Sequence, residues 1–193
     1  MQLTMTFGEA EALVAAVNGI ANDRRATFQS RIKNLLKLGL LRGLRQGRGK
    51  TAAYDSASIA TLALAVEMTQ LDLSPERLVR MLGGESLSGV GFGVAVIMVP
   101  ALESILADNW RSAIKDGTWP ALSCYLVFDP HALLGLTNEV GDHTLTMLQG
   151  NASNHARRSS QINVSLLLHE LVEALGLAKG QAFIDGLVEW HDR

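Results

Sequence analysis

The chain has 193 residues, seventeen Lys and Arg against nineteen Asp and Glu for a formal charge of −2, and 48% hydrophobic side chains. That composition excludes a disordered chain and supplies enough apolar surface for one sizeable core or two small ones without disulfides or metal. The charge is unevenly placed, with nine basic and three acidic side chains in residues 1–50 against eight and sixteen in residues 51–193, which argues for two functional regions.

The opening MQLTMTFGEA has neither the basic start nor the apolar run of a secretion signal, and this predicts a cytoplasmic protein. Thr6 followed by Glu9 is a capping-box spacing, after which Ala10, Leu13, Val14 and Val17 recur on one face until Asn18-Gly19, so the pattern predicts a short amphipathic helix. Asn22 or Asp23 can cap a second helix. In it Phe28, Ile32, Leu35 and Leu36 form the apolar stripe and Gly39 is the stop.

Nine of the seventeen Lys and Arg residues lie between Arg24 and Lys50, where no acid occurs. On a helical wheel the side opposite the stripe carries Thr27, Ser30, Lys33, Asn34 and Lys37, flanked by Arg24 and Arg31 on one side and by Arg25 and Gln29 on the other. Such a face suits the major groove, because Arg, Lys, Asn and Gln read base edges while Ser and Thr serve bases or phosphates. A merely solvated helix face would show the same periodicity. The continuation favours the groove: Leu40-Leu41 and Leu44, then RQGRGK, then Thr51 to Tyr54 are expected to form two short strands around a glycine-containing turn. Arg45, Arg48 and Lys50 beside Gly47 and Gly49 could then approach a phosphate backbone closely. The competing reading is a hairpin tip whose cations discourage edge pairing.

Ser56–Gln70 and the segment from Ser74 to Leu82 are the next expected helices. From about Thr6 to Leu82 the chain resembles the winged helix-turn-helix domain of MerR-like transcriptional regulators. The resemblance rests on Gly39-Leu40-Leu41, Arg45 and Arg48 in the wing, Tyr54 after it, Leu62 and Leu71 in the following helix, and LSPERLVRML at residues 73–82. It implies binding to double-stranded DNA. Three departures stand out: Thr27-Phe28-Gln29-Ser30-Arg31 replaces the usual Thr-Leu-Arg-Tyr-Tyr-Glu, the first helix is followed by a longer link, Gly19 to Asn22, and no long dimerising helix follows, since Gly83-Gly84 interrupts the pattern. Promoter untwisting is therefore not carried over.

Residues 83–93, GGESLSGVGFG, are expected to be a Gly/Ser-rich linker between a DNA-binding domain at 1–82 and a domain at 94–193. Their Gly89, Gly91 and Gly93 fail the nucleotide fingerprint, which needs a strand before them. The apolar run Val90 to Leu102 falls short of the roughly 20 residues that span a bilayer and is read as core, with no membrane partner. Pro100 is expected to open a helix carrying Leu102, Ile105, Leu106, Trp110 and Ile114 on one face. Leu122 to Phe128 reads as a buried strand and Thr144 to Leu148 as a weaker one. Arg157-Arg158-Ser159-Ser160 reads as a solvated loop, with phosphate contact as the alternative. Asn163 can cap a helix with Val164, Leu167, Leu168, Leu171, Val172 and Leu175 on its apolar side, ended by Gly176. A final helix, Gln181 to His191, follows.

Catalytic chemistry is thin. His169 and Glu173 stand four apart on a helix, but a zinc-hydrolase pattern needs a second His at 173. His131, His143, His155 and His191 share no converging spacing, and Cys124, the single cysteine, suits an inert core thiol. The expectation is thus no enzyme and no cofactor, in a mainly α chain with small β elements: an N-terminal winged helix-turn-helix domain and a C-terminal α+β or mostly helical dimerisation domain. A DNA-binding transcriptional regulator acting as a homodimer, with a small-molecule or protein effector left open, fits these features. The alternatives are a protein-interaction control factor built on the same winged module and a small metabolite-binding protein.

Overall fold

The computed structural model describes residues 3–41, 52–71, 73–82, 94–107, 124–128, 146–149 and 160–191. These form a mainly helical structure with a small antiparallel sheet. Helix α1, Phe7–Val17, begins with a complete capping box: the Thr6 backbone N–H donates to Glu9 at 2.8 Å, and the Thr6 hydroxyl accepts from the Glu9 N–H at 3.3 Å. Two of the helix's orphan donors are satisfied in this way. It ends where Gly19 adopts φ 61°, with Gly19 N–H donating to Ala16 and Ile20 N–H to Ala15. Those bonds form a Schellman closure, for which a left-handed glycine is the usual residue.

Helix α2, Arg25–Lys37, is entered differently from the expectation. No Asn22 or Asp23 side chain caps it; a 3-10 turn, Asn22–Arg24, runs straight into the helix instead, with the Arg24 N–H donating to the Ala21 carbonyl. The turn places both candidate caps inside helical backbone, where their side chains cannot fold back onto the first free N–H groups. At the other end Gly39, φ 97°, closes α2 through the same pair of bonds, Gly39 to Leu36 and Leu40 to Leu35, and Leu40 is buried beside it.

Met5 and Tyr54 exchange both backbone hydrogen bonds, at 2.9 and 2.8 Å, and bring the start of the chain beside the segment that leads into α3. Of the hairpin expected from Leu40-Leu41 and Leu44 to Thr51–Tyr54, Leu40 and Leu41 form the turn that ends α2 and Tyr54 pairs with Met5 instead, while residues 42–51 lie outside the described residues. Helix α3, Ser56–Gln70, is capped by Asp55, whose carboxylate accepts from the Ser58 N–H at 2.9 Å. It is buried on every side, from Ser56 through Met68, and is enclosed by α1, by α4 (Pro75–Leu82) and by the C-terminal helix.

Helix α5 spans Val94–Ala107 and contains Pro100 in its interior. Proline was expected to open this helix. It sits mid-helix because Val94, Ile97, Met98, Ala101, Leu102 and Ile105 are all buried, and tertiary burial of that extent outweighs the one backbone bond a proline removes. Strand β1, Cys124–Phe128, lies between β2, Thr146–Gln149, and β3, Ser160–Asn163, antiparallel to both. The third strand was not expected, since its polar sequence reads as loop. Residues 83–93 and the stretch with Trp110 and Ile114 lie outside the described residues.

Helix α6, Val164–His191, is two helices joined at Gly176, which has φ 72° and ψ 167°. Asn163 caps it by accepting from the Leu166 N–H at 2.9 Å, and buried Ser165 accepts from the Cys124 N–H at 2.9 Å, tying the helix to β1. The two arms meet tightly: a Cβ built on Gly180 would stand 2.8 Å from Val172 Cγ1 and 3.1 Å from its carbonyl oxygen. Helix α6 packs on α1, α3, α5 and β1, so residues from both halves of the chain share one hydrophobic core. No helix among the described residues is long and apolar enough to cross a membrane.

Burial, then like-charge repulsion from Glu67 and Glu173, pushes the Glu170 carboxyl above its ordinary value, and burial does the same to Glu67. These acids hold a proton more tightly in the folded than in the unfolded chain. Stability therefore rises as pH falls from neutral through their folded values and levels off at the ordinary carboxylate range. Glu170→Gln should raise the urea midpoint at neutral pH and flatten its dependence in weakly acidic buffer; a midpoint that still climbs as steeply on acidification would contradict this. Gly180→Ala should cost about 1–3 kcal/mol in urea denaturation through overpacking against Val172, and Val172→Ala in the same chain should recover part of that loss.

Candidate nucleic-acid interface

The buried stripe of α2 is Phe28, Ile32 and Leu35, with Leu36 half-buried beside them. Once that stripe is seated against α1 and α4, the helix has one outward face. Arg24, Thr27, Ser30, Arg31, Lys33, Asn34 and Lys37 are all exposed on it. Among the described residues, none of these side chains donates to a carboxylate of the core. Arg24 stands 3.6 Å from its neighbour Asp23, both well exposed, a pair that water screens almost completely. Ser30 donates to the Ala26 carbonyl at 3.0 Å, a bond within the helix itself. Lys33 Nζ lies 5.9 Å from the centre of the Phe7 ring, which places the ammonium over the first turn of α1.

Arg25 and Gln29 behave differently. Both were expected on the outward flank, yet they turn toward α1 and meet at Glu11. The Arg25 guanidinium donates from Nε to Oε1 at 2.9 Å and from Nη2 to Oε2 at 2.7 Å, and Gln29 Nε2 donates to Oε2 at 3.3 Å. Glu11 is 2% exposed and Arg25 30% exposed. Sequence reasoning missed Glu11, although an acid beside the apolar stripe of α1 that the capping box does not use, opposite a basic helix, is the signal that could have found it.

Arg45, Arg48 and Lys50 lie outside the described residues. Their flanks are placed, however: Leu41 leaves from the end of α2, and Ala52 returns two residues before the Met5–Tyr54 pair. The first turn of α1 adjoins the same region. There hydrogen bonds from the Thr6 backbone and then its hydroxyl, with nearby Lys179 adding a smaller effect, hold the Glu9 carboxyl below its ordinary value.

The other sites considered in the sequence bring less together. His169 is buried and Glu173 exposed, and among the described residues no group of three His, Cys, Asp or Glu side chains could hold a metal ion. Cys124 is buried, and burial raises its thiol above the ordinary value. Gly89, Gly91, Gly93, Arg157 and Arg158 are outside the described residues. In comparisons with known proteins, no family model, curated protein or solved structure matches this chain.

The Glu11 cluster predicts an asymmetry in stability. Arg25→Ala leaves a buried carboxylate without its partner and should cost about 3 kcal/mol, whereas Glu11→Ala leaves an arginine free to turn into water and should cost clearly less. Urea denaturation of the two variants measures the difference; equal losses would mean that Glu11 can reach solvent.

Proposed function

We propose that this protein is a sequence-specific DNA-binding regulator that presents α2 to the major groove and acts as a homodimer. The observation that carries the reading is the exposed face of α2. Arg24, Arg31, Lys33 and Lys37 supply positive charge along it, and Thr27, Ser30 and Asn34 supply neutral donors and acceptors between them. Cations neutralise phosphates and set affinity, while amide and hydroxyl groups at the same surface discriminate bases.

The order of elements supports a winged helix-turn-helix. Helix α1 packs on α2 through a short closure at Gly19, and the backbone pair between Met5 and Tyr54 anchors the return of the segment that carries Arg45, Arg48 and Lys50. In this reading that segment is the wing and grips the phosphate backbone beside the groove. One such module makes an interface of about 600–1,000 Å² with DNA, so two copies on adjacent half-sites bring affinity into the specific range. The acidic remainder of the chain is repelled by the duplex and is the part suited to pairing subunits or receiving an effector.

Footprinting of the intact protein on genomic DNA should recover discrete protected sites. On a recovered site Lys33→Ala should weaken binding and reduce the slope of log affinity against log salt by about 0.9, the release of one phosphate counterion. Asn34→Ala should leave that slope alone and lower the preference for the recovered site over mixed-sequence duplex, by about 1–3 kcal/mol if it reads a base. Binding by the parent with no salt dependence, or no binding to any duplex, would remove the reading in favour of a protein partner for the same face.

A further inference from the structure

The buried carboxylate of Glu11 has no place in a groove-binding surface as a contact, since it is covered and would repel phosphate. It is also a costly way to pack α1 against α2, because a buried ion pair commonly contributes no more than an apolar pair of the same volume. What it supplies is direction. Apolar packing between two helices tolerates sliding and rotation, whereas a guanidinium fork held on two carboxylate oxygens has one geometry. Arg25 lies in the first turn of α2 and Gln29 one turn later, and both donate to this carboxylate, at 2.7–2.9 Å and 3.3 Å. Two points along one helix, pinned to a single group on its neighbour, fix rotation about the helix axis. At about 100° per residue, a modest rotation would exchange which of Thr27, Ser30, Arg31, Lys33, Asn34 and Lys37 faces outward.

We propose that Glu11 is a positioning residue, and that Arg25 and Gln29 serve through it to set the rotation of α2 and do not themselves contact DNA. The inference rests on the duplex-binding reading above. Arg25 thus spends its charge inside the protein, and the cations left for phosphate are those of the exposed face.

The test uses the full chain and a mixed-sequence duplex, with anisotropy measured over a range of salt. The double variant Glu11→Leu with Arg25→Met removes the ion pair while keeping apolar volume, so it should fold, as circular dichroism and thermal melting will show. Its affinity should fall roughly tenfold, the scale of one charge-assisted bond, with the parental salt slope retained. A slope lowered by about 0.9 would show that Arg25 neutralises a phosphate, and parental affinity would show that the clamp positions nothing; either result overturns the proposal. Arg25→Lys guards against a folding failure, because it keeps the charge and loses the fork. It should weaken binding several-fold at unchanged slope, and parental affinity would again overturn the proposal. Arg31→Ala separates this inference from its foundation: it should lower the slope by about 0.9, and a flat response there means that the duplex reading itself has failed and the proposal falls with it.

Discussion

Helix α3 has eleven buried residues among its fifteen, distributed around its whole circumference. A helix with no polar face cannot be stabilised by a single neighbour, because each uncovered side would leave apolar surface in water. Everything else in the fold follows from covering it. Helix α1 takes one side, α4 another, and the arms of α6 a third, with close approach at Ser56, where Gly186 leaves room that no larger residue could use. The basic N-terminal elements and the acidic C-terminal elements therefore meet over one shared support.

That support explains how the outward face of α2 is held. Helix α2 touches α1 and α4, both of which lean on α3. The stripe Phe28, Ile32 and Leu35 sets the depth at which α2 sits, and the Glu11 cluster adds the directional contact that packing lacks. Apolar burial and one charged fork thus do different jobs. The first holds the helix in place, and the second selects an angle.

Much of this was legible in the sequence where local chemistry decides structure. Thr6 with Glu9, Ser74 ahead of its helix, Asn163 before Val164, and the glycines at 19, 39 and 176 mark boundaries because capping and left-handed closure depend on one or two residues. The exposed set on α2 was legible because period and stripe determine it. What escaped depends on distant parts of the chain. Pro100 stands inside α5 because Val94, Ile97, Met98, Ala101, Leu102 and Ile105 are buried against elements distant in sequence, which local propensity does not record. Strand β3 has a polar sequence and exists because β1 offers it an edge. Arg25 and Gln29 left the outward face because Glu11, fourteen and eighteen positions earlier, takes their donors, and a wheel drawn for one helix contains no neighbour.

The turn at Gly176 has a consequence for how the molecule comes into being. It lets α6 double back so that both arms lie along elements synthesised much earlier, and residues 71–163 are made between α3 and the helix that completes its enclosure. During that interval on the ribosome, the side of α3 that α6 covers lacks its final neighbour, so the nascent N-terminal part is an unfinished body that invites chaperones or unwanted association. Maturation of the basic surface waits on the acidic half, and a chain interrupted before Gly176 would emerge with α1 and α4 on its central helix but without the arm that brings Gly186 against Ser56.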